Sequence, residues 1–200
     1  MKKIILILTT ITLVSSAGII ACNSSDKASA NNEGIAQEPT EGERIERGRY
    51  LVTIMGCNDC HTPKKMGPHG PLLDSSRLLS GHPADMPVAK GSPSMLKDFV
   101  GFTHTLTAAV GPWGTSFAAN ITSDETGIGN WTEEQFFTAI RDGKYKGAPA
   151  GRNLLPPMPW EMYRNATDED LKAIFSYLKS TTPVKNIVPS PIPPDQGNAH

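Results

Sequence analysis

The sequence predicts an all-α domain with long irregular connections. Three observations lead there. Three stretches repeat apolar residues at helical spacing, and two of them open on a side-chain cap. Pro and Gly are plentiful, at 17 and 18 of 200 residues, while the hydrophobic fraction is only 38%. Such a chain has many turns and little apolar material of its own for a core. The third observation is the run Cys57-Asn58-Asp59-Cys60-His61, which follows the first helical stretch directly.

In chain order, Lys2-Lys3 and the apolar run Ile4 to Val14 read as an export signal and not as a spanning helix. The tetrad Ile19-Ile20-Ala21-Cys22 resembles the lipobox of bacterial lipoproteins, in which cleavage makes the cysteine a lipid-modified N-terminus. Ordinary cleavage near Ala21, with Cys22 incidental, is the alternative. An exposed free thiol on an exported protein would be a liability, and two or more acyl chains anchor stably where one does not. The expectation is a signal peptide over 1–21, lipidation at Cys22, and an exported protein anchored to a membrane with its domain in the periplasm. Residues 22–40 are rich in Ser, Asn, Ala and Glu, a composition that stays disordered. As a flexible tether they reach about 20–25 Å on average.

The folded domain is expected over 41–185. Ile45, Tyr50, Leu51 and Ile54 form an apolar stripe over Glu43 to Met55. Gly48 weakens that helix, so its place there predicts a close crossing with another helix. From Thr62 to Pro93, Pro and Gly break any periodicity and predict irregular loop. Ser92 to Val100 reads as a short helix, Gly101 to Thr107 as a short extended segment, and Gly111-Pro112-Trp113-Gly114 as a turn. Thr132 stands three residues before Gln135 and opens a helix with Phe136, Phe137 and Ile140 on its buried side, ending at Asp142-Gly143. After the proline-dense passage Leu154 to Trp160, Thr167 caps the last helix. Its apolar face is Leu171, Ile174, Phe175 and Leu178, and Pro183 stops it. Residues 186–200 form a Pro-rich tail, expected to be loosely ordered from Pro189. The formal charge of −1 argues against a nucleic-acid protein, which would usually be basic.

The run Cys57-x-x-Cys60-His61 has the spacing of a c-type haem attachment sequence. On one helical turn, positions i, i+3 and i+4 share a face, so two thiols can bond the haem vinyl groups while His61 meets the iron from the same side. A thioredoxin-like redox pair would expect a strand before the motif, and here the preceding residues read as a helix. A structural zinc site needs four ligands, usually two separated pairs; no second cysteine pair exists, and His69 and His82 would have to be recruited from a loop. The chain has three cysteines. With two on the haem and Cys22 at the terminus, none is left for a disulfide, so core and cofactor must hold the fold.

A helix leading into C-x-x-C-H, a Met in a proline-rich loop, and a C-terminal helix together resemble a class I cytochrome c, over about Glu43 to Thr182. In that family the first and last helices cross at small and aromatic residues, a part for Gly48 with Phe175 or Tyr177. The segment from Asn120-Ile121-Thr122 through Asp124, Thr126-Gly127-Ile128-Gly129, Trp131-Thr132 and Phe136 to Gly143 is similar to segments in the cytochrome c subunits of bacterial membrane-associated dehydrogenases for alcohols, sugars or aldehydes. Those subunits often carry three haem domains, and this chain has one motif. The implied architecture is a class I fold with a long loop-rich insertion between the haem motif and the distal Met.

The second axial ligand is chosen among the methionines. Met55 is two residues before Cys57, and Met66, Met86 and Met95 lie in the insertion. Met158 is flanked by Pro157 and Pro159, which present a thioether at low entropic cost. The resemblance places the ligand Met in such a loop, so Met158 is the choice, with Met162 its nearest rival and His104 or an open site the alternatives. A thioether favours Fe(II) and raises the potential relative to two histidines. His61 should donate its other N–H to a backbone carbonyl or a water, and the resemblance points to a carbonyl in the Pro68–Pro71 loop. Trp113, Asn120 and Arg77 are candidates for the haem propionates, or otherwise a core aromatic, a turn residue and a solvated charge. Lys64 and Lys65 could dock an acidic partner or simply be solvated.

These features imply one covalent haem c and an electron-transfer protein with both axial sites filled. Its partners would be a dehydrogenase as donor and an oxidase or another cytochrome as acceptor. A peroxidase-type enzyme would need an open distal site with acid–base residues. A gas sensor would need an output domain.

Overall fold

The computed structural model describes residues 38–88 and 99–194. In chain order they form α1 (Glu41–Ile54), α2 (Cys57–His61), strands β1 (Lys64–Gly67) and β2 (Gly70–Leu73), β3 (Gly101–Phe102), β4 (Ala108–Gly111), β5 (Gly114–Phe117), then α3 (Glu133–Arg141), α4 (Trp160–Tyr163) and α5 (Asp168–Ser180). The export signal, Cys22, most of the tether, Met95, residues 92–98 of the helix expected over Ser92–Val100, and 195–200 of the tail lie outside the described residues.

The frame is set by α1 crossing α5. Thr40 starts α1: its hydroxyl accepts from Glu43 N–H, and the Glu43 carboxylate accepts from Thr40 N–H at 2.8 Å, closing a capping box. Thr167 caps α5 by accepting from Asp170 N–H, with Asp168, Glu169 and Asp170 in the first turn and Lys179 in the last, the charge order a helix dipole favours. At the crossing Gly48 is buried. A Cβ there would lie 1.9 Å from the Ala173 carbonyl oxygen and 2.7 Å from Tyr177 Cβ. The helices therefore touch backbone to backbone, and Tyr177 is the aromatic residue at the contact. Leu51 and Val52 of α1, Leu171, Ala173, Ile174 and Leu178 of α5, Phe136 of α3, and Leu79 and Ile128 from loops form one core. Thr132 and Gln135 cap α3 reciprocally, and it ends at Asp142.

The all-α expectation needs correction: the regular structure of the described residues is mostly helical, with two small antiparallel sheets. The stretch read as loop contains the β1–β2 hairpin, paired from Lys64 with Leu73 to Gly67 with Gly70. The second sheet has the order β3-β4-β5. Its middle strand buries Ala108, Ala109 and Gly111, so burial does not alternate, and strands of two to four residues are too short to show a period. The extended segment expected to Thr107 ends at Phe102 and gives way to a turn in which Leu106 N–H bonds the Thr103 carbonyl.

The segment after α5 returns across the domain. Asn186 donates its side-chain amide to the carbonyls of Ser80 and His82 at 2.7 and 2.9 Å. Ile192 exchanges both backbone hydrogen bonds with Thr115. The composition predicts a loose tail from Pro189; in the structure Ile192 is tied to the sheet, because β5 presents a free edge that a passing backbone can satisfy.

Candidate functional site

Gly56, at φ 69°, turns the chain from α1 into α2, a conformation that suits glycine. Thr62 then locks the end of α2. Its fully buried hydroxyl donates to Asn58 Oδ1 at 2.7 Å and accepts from Leu79 N–H at 2.8 Å. Lys64 donates from Nζ to the carbonyls of Asn58, Thr62 and Asp59 at the C-terminal end of α2, where carbonyls lack helical partners or share them. Its ammonium is thus a cap for α2 and not a free docking charge, and Lys65 pairs with Asp74 at 2.9 Å.

The imidazole of His61 donates from Nδ1 to the Ala119 carbonyl at 2.7 Å. A carbonyl only accepts, so the proton sits on Nδ1 and Nε2 keeps its lone pair. Burial pushes the imidazole below its ordinary pKa, which favours the neutral ring a metal ligand must be. The Pro68–Pro71 expectation is corrected here: that loop is the tip of the β1–β2 hairpin, and the carbonyl comes instead from the irregular segment that follows β5. The bond from His82 N–H to the Ala118 carbonyl at 2.9 Å holds that segment, and the neighbouring Gly81 N–H bonds the His61 carbonyl at 2.7 Å. Gly81 sits at φ 78°, and a Cβ there would lie 2.5 Å from the Ala118 carbonyl oxygen.

Cys57, Cys60 and His61 line one cavity of about 200 Å³, larger than the roughly 150 Å³ that accommodates benzene in an engineered core. Its inner wall is the helical core, with Phe136, Leu171, Ile174 and Leu178, and its opposite wall is the second sheet, with Ala108, Ala109 and Phe117. Burial pushes the Cys57 thiol up to about 11 and raises Cys60 as well. Uncharged thiols in an apolar cleft suit bonds to carbon better than a thiolate metal site. Among the described residues no group of three or more His, Cys, Asp or Glu side chains is arranged to hold a metal ion. His69 is exposed at the hairpin tip. Both ring nitrogens of buried His82 are engaged, Nδ1 with Thr107 Oγ1 at 2.9 Å and Nε2 with the Met86 carbonyl at 3.0 Å. The lining suits a flat, largely apolar group anchored at two sulfurs, and haem is such a group.

Met158 lines the same cavity from the opposite loop. Gly143, at φ 64°, clamps both ends of that loop. Its carbonyl accepts from Leu154 N–H at 2.6 Å, and its bare face packs on Trp160, where a Cβ would lie 2.4 Å from the ring. Ser116 Oγ donates to the Pro156 carbonyl at 2.5 Å and ties the loop to β5. Met162 is 71% exposed on α4 and does not line the cavity. Neither does His104, which is exposed. Met55 lines it beside Cys57, held by the Tyr163 hydroxyl, which donates to the Met55 carbonyl at 2.6 Å.

The three residues considered for propionates are elsewhere. Asn120 is buried and structural: its amide nitrogen donates to the Val184 carbonyl at 2.8 Å, and its oxygen accepts from Thr122 N–H and Oγ1. Trp113 packs on Gly111 and donates to Ser116 Oγ. Arg77 approaches Asp85 at 3.8 Å on the surface. Sequence reasoning missed Ala119, whose role rests on its carbonyl and leaves no side-chain signal. It also missed Tyr145 and Arg152, which line the cavity; a lone arginine six residues before Met158 was the available sign.

The chain is 31% identical over 170 residues to the fructose dehydrogenase cytochrome subunit of Gluconobacter japonicus, covering 82% of this chain and 27% of that protein. It is 30% identical over 165 residues to the cytochrome c subunit of alcohol dehydrogenase (quinone) from Gluconacetobacter polyoxogenes, covering 80% and 27%. A nicotinate dehydrogenase subunit from Pseudomonas putida is 42% identical over 80 residues, covering 40% and 6%. The chain spans about a quarter of the length of the two cytochrome subunits it matches. No protein-family model matches it. With the C-x-x-C-H turn at an apolar cleft and this similarity over most of the sequence, the chain is a c-type cytochrome domain, homologous to the cytochrome c subunits of bacterial dehydrogenases.

Proposed function

We propose that the chain is a single-haem electron carrier with a class I cytochrome c arrangement. Cys57 and Cys60 would hold the haem covalently, and His61 and Met158 would ligate its iron. The observation that carries the reading is that these four residues line one apolar cavity. The haem supplies a one-electron Fe(III)/Fe(II) couple. The chain's own residues set its conditions. The Ala119 carbonyl fixes the His61 ring and makes it a stronger donor. The clamped loop presents Met158 without side-chain searching. The apolar walls exclude water, and a low-polarity surround disfavours the extra charge of the ferric state.

Export, lipidation at Cys22, a membrane-bound periplasmic setting, a dehydrogenase as donor and an oxidase or second cytochrome as acceptor complete the proposal. Support comes from the relatives named as dehydrogenase cytochrome subunits and from the lipobox-like tetrad. Among the described residues no helix is long and apolar enough to cross a membrane; the proposed attachment through lipid on Cys22 rests on the lipobox-like tetrad. A peroxidase would need a distal acid–base group, and among the described residues the cavity lining holds no Asp, no Glu and no histidine besides His61.

Two measurements test the proposal. Acid–acetone extraction leaves the haem on the polypeptide; complete release refutes the covalent link. The oxidised protein shows the weak long-wavelength band of a sulfur–Fe(III) bond, Met158→Ala abolishes it and lowers the potential, and Met162→Ala leaves it. A wild-type protein that binds carbon monoxide quickly and turns over peroxide would overturn the electron-carrier reading.

A further inference from the structure

One charged side chain stands out in the cavity. Arg152 is the only Lys, Arg, Asp or Glu among the described residues lining it. Its guanidinium lies 3.7 Å from the centroid of the Tyr145 ring, in stacking range. Nη1 donates to the Asn153 carbonyl at 2.9 Å. The two backbones are joined as well, Tyr145 N–H to the Arg152 carbonyl at 2.9 Å, beside an isolated bridge between Lys144 and Asn153. The fork is therefore held at the cavity mouth by an aromatic face and a paired backbone. Among the described residues, no carboxylate lies within salt-bridge distance of it. A positive charge kept ready beside an apolar cleft suits an occupant that brings its own carboxylate.

We infer that Arg152, seated on Tyr145, is the carboxylate-binding subsite of the cavity and pairs with a haem propionate. The inference rests on the haem reading above and adds the group that orients the haem's polar edge. A planar guanidinium offers parallel N–H donors to a carboxylate. Neutralising a propionate removes negative charge near the iron and so favours Fe(II). Lys146 supplies the comparison: it lies on the same turn, 5.6 Å over the same ring, exposed and outside the cavity lining.

The test uses the haem-loaded full chain. Arg152→Gln lowers the equilibrium constant for iron reduction roughly three- to tenfold, at most about 59 mV in a one-electron couple. It also shifts the propionate-bending band in the resonance Raman spectrum and leaves the sulfur–iron band in place. Arg152→Lys recovers part of the potential, and Lys146→Gln changes neither readout. If Arg152→Gln leaves the propionate band unmoved, or Lys146→Gln lowers the potential as far, the subsite assignment is overturned while the electron-carrier reading stands. A wild-type protein without covalent haem overturns both, and extraction of the wild type alone reveals that case.

Discussion

Gly48→Ala adds one methyl group where α1 meets α5, and its effect can be worked out from the crossing. The new Cβ would sit 1.9 Å from the Ala173 carbonyl oxygen and 2.7 Å from Tyr177 Cβ. Carbon–oxygen contacts settle near about 3.3 Å, so the helices must part by about 1.4 Å at this point. The opposing atoms are backbone and a Cβ, which cannot rotate aside, so the overpacking penalty falls toward the upper end of the usual range, about 3 kcal/mol. Alanine returns about 1 kcal/mol of helix propensity. The net loss is about 2 kcal/mol, which for a domain of this size lowers Tm by about 4–8 °C. Denaturant titration of the haem-loaded protein, followed by far-ultraviolet circular dichroism, gives the readout: the midpoint falls while the slope is unchanged. A midpoint equal to or above wild type would refute the close crossing, because propensity alone would then decide the sign.

Two further outcomes are expected. Burial holds the His82 imidazole below its ordinary value of 6.5, so the unfolded chain binds more protons as pH falls below that value. Stability is then fully present above pH 6.5 and lost on acidification through the window below it. His82→Gln keeps a polar group facing Thr107 and Met86 and should flatten the change in denaturation midpoint between about pH 7 and 5; an unaltered slope would assign the loss to other groups. Cys22→Ser should move the protein from the membrane to the soluble periplasmic fraction with its haem spectrum intact, and an unchanged distribution would mean that lipid on Cys22 is not the anchor.

Several parts of this protein are determined within a few residues, and those parts the sequence determined by itself. Helix starts depend on partners three positions apart, such as Thr132 with Gln135 or Thr167 with Asp170, so the last two long helices were legible with their ends. The C-x-x-C-H spacing likewise puts Cys57, Cys60 and His61 on one turn without help from the rest of the chain. Gly48 signalled its crossing because glycine inside a helix has a cost that some contact must offset. The loop signals of Pro and Gly, by contrast, hid the β1–β2 hairpin and left only the extended start at Gly101 and the turn at 111–114 of the second sheet legible: a strand of four residues has no measurable period, and its pairing is not written in its own residues.

What only the tertiary structure decided are the contacts between groups far apart in sequence. His61 is held by the carbonyl of Ala119, and a carbonyl carries no side-chain identity to read. Lys64 looked like a free surface charge until α2 was seen to end beneath its ammonium. The flanking prolines favour Met158 over Met162, and the tertiary structure puts the first on the cavity and the second in solvent. Arg152 acquired its place from Tyr145, across a backbone pairing. These contacts are made by groups distant in sequence, so long-range packing, and no local pattern, decides them.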